Sequence, residues 1–585
     1  MKQDRKLYLG INLEMDPAVA IVENGVVLAF SEEERHLRIK HAQNHYPEKA
    51  LKYCLKSAGC ELSDIAAIAI NWNLTAYNDG TMRAFYEGVR KEFPVDAATA
   101  AWQERNLRKR SWLEYRGMHE RELRKIFGRI DIPPIVDFPH HYTHAFQAYM
   151  QSGYDSAVCV TIDGSGDQHC TVVWKCAGSE ITPIYEVNIP HSLGWLYAAI
   201  TEYLGFQAYD GEYKVMGLAA YGEPDPKIQA LVEKLVTVAP DGVGYCLAAE
   251  YIHYGAHTYS GRFTDALVEL LGRQPRRDDE PVEKWHTSLA YELQALLERT
   301  MVRMVDWAVT ATGLSRVCIG GGVGLNVKLN SKIFELPGVS DVFAHPLCGD
   351  SGAACGAALL ACHRETGGRP EQLRTLALGY EETPARIEEL LKITKVFYER
   401  PRDIADAVAA ELELGRVVGW FQGRMEAGPR ALGQRSILAN PTREAYRDRV
   451  NAIVKFREEW RPFCPSMLEE YADKYFDHHT HAPFMIMAFR ANDALRRDAP
   501  AIVHVDGTSR VQFVSRDTSP LYHRMIDAFR QRTGAPVVLN TSFNVKGEPI
   551  VCTALDALRT FWGSGIDVLA IGEFLIRKPV LEPRS

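Results

Sequence analysis

The chain has 585 residues, of which 46% are apolar and 24% charged, and its formal net charge is −8. Because one hydrophobic core serves about 100–200 residues, this length predicts several domains, and the composition is that of a globular protein. The negative charge argues against a nucleic-acid surface, and no apolar run approaches the about 20 residues that cross a bilayer. The 12 cysteines form no paired framework and no signal sequence is recognised, so a cytoplasmic protein with reduced thiols is expected.

Two stretches share a layout of strand, polar turn and return strand. Short apolar strands are predicted at 7–11, 18–22 and 26–30, and the segment 12–17 joins the first two. The layout returns with strands at 157–162 and 171–174 around the polar segment 163–167. Such a repetition is typical of the duplicated ATPase core of actin and the sugar kinases, in which backbone N–H groups of the turn meet phosphates.

Helices and a glycine cluster complete this part of the chain. The segment 78–129 is rich in arginine and has helical spacing, so its basic residues form a solvated face or bind an anion. A strand at 316–319 leads into a cluster of glycines at 320–324. Glycines between a strand and a helix let the backbone approach a nucleotide, with a tight turn without ligand as the alternative. The candidate nucleotide-binding residues here are Gly321, Gly322 and Asn326.

Three histidines are candidates for binding a metal. On a helix, His140 and His144 are four residues apart and face one side, and His141 with His144 is a second pairing. Imidazole combined with carboxylate suits iron, zinc or manganese, and Asp163 and Asp350 would complete such a site. Histidines that cap the helix or lie in the core are the alternative.

The C-terminal part has its own polar residues, beyond a linker near 367–384. A helix followed by a buried strand at 416–421 indicates a second domain. If residues 455–457 and 542–544 are extended, the outer two side chains of each triplet point into one pocket, and the central phenylalanine points to the core. Cations with hydroxyl and amide groups would cradle the phosphates of a nucleotide, and surface salt bridges are the alternative.

An ordered series of motifs runs along nearly the whole chain. It includes Glu33-Glu34-Arg35 with Arg38 and Lys40, His140-His141 with His144-Ala145, Lys214-Val215-Met216-Gly217-Leu218, Gly428-Pro429-Arg430-Ala431-Leu432-Gly433, Lys455-Phe456-Arg457-Glu458 and Asn540-Thr541-Ser542-Phe543-Asn544. In these motifs the chain resembles the NodU/CmcH family of O-carbamoyltransferases.

The resemblance implies an α/β protein of two domains. Residues 1–368 would form a TsaD-like domain with a duplicated actin-like ATPase core, 369–400 a linker, and 401–585 a YrdC-like α/β domain. The YrdC-like domain would make carbamoyl-AMP from carbamoyl phosphate and ATP. The TsaD-like domain would then transfer the carbamoyl group to a hydroxyl or amine of a small-molecule natural product, as in antibiotic biosynthesis.

The resemblance also assigns site residues, cofactors and partners. The metal ligands would be His140, His144, Asp163 and Asp350, with Fe²⁺ as the metal, and ATP would bind with Mg²⁺. The nucleotide residues would be Lys455, Arg457, Ser542 and Asn544, supported by Arg430 and Arg510. The catalytic residues would be Lys40, His140, His144, Lys455 and Arg457. The expected partners are carbamoyl phosphate, a small-molecule acceptor and a second copy in a homodimer, with neither nucleic acid nor membrane.

The first turn departs from the family pattern. Relatives carry a histidine after the first strand, whereas residues 12–17 contain none, and Glu14 or Asp16 would replace it. The departure leaves open a nucleotide-binding regulator without transfer activity. The shared folds leave open a threonylcarbamoyl-type enzyme that modifies tRNA, against which the net charge argues.

Overall fold

The computed structural model describes residues 5–255, 260–455, 460 and 463–579. The chain divides into two compact units, Met1–Leu28 with Leu55–Leu373 and Ala29–Cys54 with Arg374–Ser585. Residues 29–54 thus lie in the second unit, whereas the domain predicted over residues 1–368 includes them. Within the described ranges, no helix combines the length and the apolar character that a membrane span requires.

The first five-stranded sheet has the order β3-β2-β1-β4-β5. Its strands are β1 (Leu7–Asn12), β2 (Ala18–Glu23), β3 (Val26–Glu32), β4 (Ile65–Ile70) and β5 (Ile135–Asp137). Strand β1 is antiparallel to β2 and parallel to β4, which is parallel to β5. Every residue of β1 is buried, as expected for a central strand that is covered on both faces. The three strands predicted from the sequence are confirmed.

The second five-stranded sheet has the order β12-β11-β6-β7-β8. Its strands are β6 (Ser156–Gly166), β7 (His169–Ala177), β8 (Glu180–Asn188), β11 (Arg316–Gly320) and β12 (Asp341–Ala344), and β9 (Val236–Val238) pairs with β10 (Tyr245–Leu247) outside it. Strand β6 is antiparallel to β7 and parallel to β11, which is parallel to β12. Both sheets therefore place an antiparallel meander on one side of their first strand and two parallel strands on the other. This repeated topology confirms the predicted duplicated actin-like core.

The helices connect and cover these sheets. They are α1 (Glu33–Leu37), α2 (Glu48–Ala58), α3 (Leu74–Asn78), α4 (Thr81–Glu92), α5 (Ala97–Lys109), α6 (Trp112–Phe127), α7 (His140–Ser152), α8 (Leu193–Tyr203), α9 (Glu212–Leu218), α10 (Pro226–Val232), α11 (Asp265–Leu271), α12 (Lys284–Thr312), α13 (Val327–Phe334), α14 (Asp350–Thr366), α15 (Pro384–Ile393), α16 (Ile404–Glu413), α17 (Glu444–Val450), α18 (Ala472–Tyr475), α19 (Asp493–Asp498), α20 (Pro520–Thr533) and α21 (Ala554–Trp562). Helix α15 lies within the predicted linker.

Helix α14 packs directly on strand β1. A Cβ atom added to Gly10 would lie 1.8 Å from the carbonyl oxygen of Ala354, so only glycine permits this approach. Helix α7 packs on α14 in the same way, because a Cβ atom at Gly356 would lie 2.8 Å from the Thr143 side chain. This packing fixes the positions of α7 and α14 within the first unit.

The second unit is built on a seven-stranded mixed sheet of order β18-β15-β19-β14-β13-β20-β21. Its strands are β13 (Val418–Phe421), β14 (Arg435–Ala439), β15 (Cys464–Leu468), β18 (Gln512–Val514), β19 (Val537–Ser542), β20 (Val568–Ile571) and β21 (Phe574–Arg577), and β16 (Phe489–Arg490) pairs with β17 (Thr508–Ser509). The mixed α/β class predicted for this part is confirmed, and its membership of the YrdC class stays a prediction.

Candidate functional site

Four side chains of the first unit form a cluster suited to a metal ion. His140 and His144 lie at the start of α7, Asp163 lies in β6, and Asp350 is the first residue of α14. One nitrogen or oxygen atom from each residue lies within 4.8 Å of the others. The Nε2 atom of His144 lies 3.1 Å from His140 Nε2 and 3.4 Å from Asp163 Oδ2, and His140 Nε2 lies 3.6 Å from Asp350 Oδ1.

His140 presents Nε2 to this cluster because its other polar atoms are held elsewhere. Its Nδ1–H group donates to the carbonyl oxygen of Asn71 at 3.2 Å, and its backbone N–H donates to Asp167 Oδ2 at 2.9 Å. The ring of Trp72 packs against the imidazole, with 4.7 Å between the ring centroids. Histidines that bind metals typically donate their second ring N–H to such an acceptor.

His141 faces away from the cluster. Its Nδ1 atom lies 2.9 Å from Thr161 Oγ1, and its Nε2 atom lies 3.1 Å from the carbonyl oxygen of His169. Both ring nitrogens are therefore engaged in the buried interior of the second sheet. The structure therefore brings His144 together with His140, and not with His141, which was the other pairing that the sequence left open.

The glycine cluster orients Asp163. The backbone N–H of Gly322 donates to Asp163 Oδ2 at 3.0 Å, while Asp163 Oδ1 accepts from Gly164 N at 2.8 Å. Gly321 has φ +81°, and a Cβ atom there would lie 2.3 Å from the carbonyl oxygen of Ile162. The glycines thus allow this backbone to pass close to β6, and their nucleotide-binding role stays a prediction.

Asn326 has a structural part in the first unit. Its Oδ1 atom accepts from the backbone N–H of Leu329 at 3.0 Å and caps helix α13. Its amide also exchanges hydrogen bonds with Gln294, at 2.9 and 3.0 Å. These contacts account for an asparagine at this position, and its nucleotide-binding role stays a prediction.

Burial and charge set the proton affinities of the metal cluster. Burial alone lowers the pKa of His140, but Asp163 and Asp350 raise it to about 9. Burial and the charge of His140 lower the pKa of His144 to about 3. Burial raises the pKa of Asp350, and the neighbouring carboxylate of Asp163 raises it further, whereas hydrogen bonding from His140 lowers that of Asp163. Protons on these groups compete with a cation for the same atoms.

The donor set fits a divalent cation. Neighbouring ligands that lie about 2.1 Å from one ion are about 3.0–3.4 Å apart in octahedral or tetrahedral geometry. The four distances in the cluster, 3.1, 3.4, 3.6 and 3.8 Å, lie at or slightly above this spacing. Two neutral imidazoles and two carboxylates also balance the charge of a divalent ion, and they suit iron, zinc or manganese.

We predict that Gly166→Ala weakens this cluster. A Cβ atom at Gly166 would lie 2.3 Å from His140 Cδ2, so the imidazole must move. Because overpacking costs about 1–3 kcal/mol, thermal unfolding should begin at a lower temperature, and metal affinity should fall. Gly88 in α4 is the matched control, because a Cβ atom there meets nothing within 4 Å. An unchanged metal affinity in Gly166→Ala would contradict this prediction.

In the second unit, Lys455 lies against the Ser542–Asn544 loop. Its ammonium donates to the carbonyl oxygens of Ser542 and Asn544 at 2.6 and 3.0 Å, and to Asn544 Oδ1 at 2.8 Å. Ser542 Oγ lies 3.3 Å from the ammonium and donates to Asn544 Oδ1 at 2.7 Å. Phe543 is fully buried, so the predicted alternation of polar and core side chains is confirmed for this triplet.

The other triplet is described only at Lys455. Asn451–Lys455 is a π-helix, so Lys455 itself is not in the extended backbone that the sequence predicted. Helical backbone still delivers the side chain to the pocket, where only 5% of Lys455 is exposed. π-Helical turns occur frequently at functional sites. Arg457 lies outside the described residues.

The remaining predicted residues lie in three other segments of the second unit. Arg430 is half-buried in the loop between β13 and β14, and Lys40 is half-buried in the turn Lys40–Ala42. Arg510 lies between β17 and β18, and its Nε–H group donates to Cys464 Sγ at 2.8 Å. The part of these three side chains in nucleotide binding stays a prediction.

Arg38, in the segment 29–54, binds a loop of the second unit. Arg38 donates to the carbonyl oxygens of Ile550 and Pro549 at 2.5 and 2.7 Å. The same loop is tied to the Lys455 pocket, because the side-chain amide of Asn544 donates to the carbonyl oxygen of Glu548 at 2.6 Å. Arg38 therefore supports the loop that follows Asn544, a role that residue spacing alone does not indicate.

Arg435, in β14, binds the loop that carries Arg430. Arg435 is fully buried, and its guanidinium lies 3.6 Å over the ring of Phe421. It donates to the carbonyl oxygens of Gln422 and Gly423 at 2.8 and 3.1 Å. These contacts of Arg435 are structural.

If the Lys455 pocket binds ATP, as the sequence predicts, Arg38→Gln should raise the KM for ATP about tenfold or more with a smaller change in kcat. Glutamine loses both charged hydrogen bonds to the 549–550 carbonyls, each worth about 1.5–3 kcal/mol, and the loop is held less firmly. Release of pyrophosphate measures the effect. Arg400→Gln is the matched control, because Arg400 is 61% exposed and pairs with Glu573. A KM equal to that of the control would contradict this prediction.

Comparison with known proteins places the chain in a family. A model of the carbamoyltransferase N-terminus matches residues 7–359, and a model of the carbamoyltransferase C-terminus matches residues 409–578. The chain belongs to the carbamoyltransferase family. The protein is therefore an enzyme, as the sequence resemblance implied. The two matched regions cover most of the chain.

Curated relatives of this carbamoyltransferase agree over similar lengths. The nodulation protein NolNO of Sinorhizobium fredii is 37% identical over 97% of this chain and 80% of the relative. The nodulation protein NolO of Bradyrhizobium diazoefficiens is 38% identical over 75% of this chain and 78% of the relative. An uncharacterized protein of Synechocystis is 33% identical over 97% and 96% of the two chains.

Proposed function

We propose that this carbamoyltransferase works in two chemical steps. In the second unit, water displaces phosphate from carbamoyl phosphate, and the resulting carbamate oxygen attacks the α-phosphorus of ATP and expels pyrophosphate. The product is carbamoyl-AMP. In the first unit, a hydroxyl oxygen or an amine nitrogen of a small-molecule acceptor attacks the carbamoyl carbon, AMP leaves, and the acceptor loses one proton.

The chemical contrast between the two clusters carries this proposal. The cluster of the first unit combines two imidazoles with two carboxylates at the spacing of ligands to one ion. Lys455, in the second unit, brings an ammonium into a pocket of hydroxyl, amide and carbonyl oxygens. Carboxylates repel the phosphates of ATP and an ammonium attracts them. Nucleotide activation is therefore assigned to the second unit and transfer to the first.

In the activating step, Lys455 supplies positive charge at a fixed position. The oxygens of Ser542 and Asn544 hold the ammonium at 2.6 to 3.3 Å. A charge that is already oriented stabilises the negative charge that develops on the phosphates without further reorganisation. Mg²⁺ accompanies ATP, and Arg430, Arg457 and Arg510 are further candidates for the phosphates.

In the transfer step, His140, His144, Asp163 and Asp350 would hold a divalent cation, which we propose to be Fe²⁺. When bound, the cation supplies Lewis acidity, which polarises a carbonyl or lowers the pKa of a hydroxyl. The residues around it fix the geometry, because Asn71 and Asp167 orient His140, and Gly322 orients Asp163.

The chemistry explains why ATP would be consumed. A neutral alcohol is a weak nucleophile, and it reacts faster with a carbonyl that carries a good leaving group. Adenylation provides that leaving group. A buried site limits the competing attack of water on the mixed anhydride.

Trapping of the activated carbamoyl group tests the proposal without the natural acceptor. The protein is incubated with ATP, Mg²⁺ and [¹⁴C]carbamoyl phosphate, and hydroxylamine is added to trap carbamoyl-AMP as labelled hydroxyurea. We expect pyrophosphate, AMP and hydroxyurea in equal amounts, and no pyrophosphate when carbamoyl phosphate is omitted. Labelled hydroxyurea formed at the same rate without ATP would refute the adenylate step.

A further inference from the structure

Arg110 differs from the other arginines of its helical segment. It caps the C-terminal end of α5, and its side chain is 5% exposed, whereas Arg108 two residues earlier is 69% exposed. The sequence left two interpretations for this basic segment, a solvated face or an anion site. Neither describes Arg110, because its guanidinium is buried against other residues of the first unit.

The guanidinium of Arg110 contacts two groups. Its Nε–H donates to Glu14 Oε1 at 3.1 Å, and a terminal N–H donates to the other carboxylate oxygen of Glu14. Its Cζ atom lies 3.8 Å from the centroid of the Trp72 ring. Although burial alone lowers the pKa of Arg110, the carboxylate of Glu14 raises it, so the guanidinium keeps its charge.

Trp72 connects this ion pair to the candidate metal cluster. The indole is 2% exposed, and it packs on the imidazole of His140 at 4.7 Å between centroids, with 33° between the planes. Direct contacts within the first unit therefore connect four side chains in series, Glu14, Arg110, Trp72 and His140. We call this series the Arg110 stack.

We propose that Arg110 is a positioning residue of the transfer centre, which presses Trp72 against the imidazole of His140. A guanidinium over an indole is held by a cation–π attraction, which is stronger when both groups are desolvated. The inference rests on the proposed function, because it takes His140 to be a metal ligand.

Glu14 has two effects in the Arg110 stack. Its two oxygens match the fork of the guanidinium and fix the plane that faces Trp72. Its negative charge also offsets the charge of Arg110, which would otherwise oppose a cation bound near His140. Since both carboxylate oxygens are engaged, this ion pair accounts for Glu14 without the replacement of the missing histidine that the sequence left open.

The test measures metal binding rather than turnover. Full-length apo-protein is titrated with Co²⁺, and the affinity and the visible absorption of the bound ion are recorded for wild type, Arg110→Gln, Arg110→Lys and Arg108→Gln. Because loss of groups that orient ligands weakens metal binding about 10–100-fold, we expect at least a tenfold weaker Co²⁺ affinity and an altered absorption band for Arg110→Gln. Arg110→Lys, which keeps the charge without the planar fork, should fall between wild type and Arg110→Gln.

A folding check and two further measurements keep the outcomes distinct. Circular dichroism and the melting temperature of each variant should match wild type, which shows that the first unit is folded. Formation of carbamoyl-AMP by the same preparations, a step of the second unit, should stay within about twofold of wild type. Arg108→Gln should bind Co²⁺ as wild type does. Unchanged affinity and absorption in Arg110→Gln would overturn the inference alone. A wild-type protein that binds no Co²⁺ would overturn both the inference and the metal assignment of the proposed function.

Discussion

His140→Ala is expected to lose metal and carbamoyl transfer while it keeps the formation of carbamoyl-AMP. Its Nε2 atom lies 3.1 Å from His144 Nε2 and 3.6 Å from Asp350 Oδ1, so its removal opens one side of the cluster. Lewis-acid stabilisation is worth several kcal/mol, and we therefore expect transfer to slow about a thousandfold. Metal content by mass spectrometry, transfer of label from preformed carbamoyl-AMP, and pyrophosphate release measure the three quantities.

His141 is the matched control for this experiment. It follows His140 directly in the chain and is equally buried, but its ring nitrogens contact Thr161 and the carbonyl of His169. His141→Ala should thus unfold at a lower temperature, because a buried side chain and its hydrogen bonds are lost, and should still bind one metal ion. Equal loss of metal in the two variants would contradict the assignment, as would loss of pyrophosphate release in a folded His140→Ala protein.

The periodicity of short elements predicted much of the fold. Strands β1, β2 and β3 follow from apolar runs that end at polar or turn residues, because such runs are too short for helices. The duplication followed from a repeated layout, and the pairing of distant strands such as β6 with β11 then completes each sheet. The position of residues 29–54 in the second unit has no local signature, because long-range packing decides it.

The histidine pair of the candidate metal cluster could be predicted because residue spacing on a helix determines which side chains share a face. An interval of four residues puts His140 and His144 on one face wherever the helix lies. The groups that hold them were not predictable, because Asn71 and Trp72 reach His140 from another segment of the chain. Arg110 was grouped with exposed arginines for the same reason, since no interval in the sequence distinguishes a buried guanidinium from a solvated one.

The Lys455 pocket shows that residue type can predict which side chains meet when backbone conformation does not. The alternation expected for extended backbone holds at 542–544, where Phe543 is buried and its neighbours face the ammonium. Lys455 lies in a π-helix instead of the extended backbone that was predicted. A lysine has a long side chain, so different backbone conformations can bring its ammonium to one pocket, and residue type was a better guide than backbone conformation.

Lys455→Ala is expected to abolish the formation of carbamoyl-AMP. Lys455 is 5% exposed and its ammonium is fixed by the oxygens of Ser542 and Asn544, so alanine removes the charge from the pocket. Loss of one preorganised group that stabilises developing charge costs about 10²–10³ in rate, and a buried cation beside a polyphosphate should reach the upper value. Pyrophosphate release that depends on carbamoyl phosphate measures it. Lys455→Arg should not restore the rate, because a planar guanidinium does not fit the oxygens that surround an ammonium.

Lys392 provides the matched control for Lys455, since it lies in the second unit, is 63% exposed and pairs with Glu388. Lys392→Ala should release pyrophosphate as wild type does. Transfer from preformed carbamoyl-AMP should survive in Lys455→Ala, which reverses the pattern expected for His140→Ala. Each of the two variants should then lose a different step. A mixture of both proteins should carbamoylate the acceptor when carbamoyl-AMP diffuses between them, and this complementation would establish two separate centres. Wild-type pyrophosphate release by Lys455→Ala would remove the nucleotide site from this pocket.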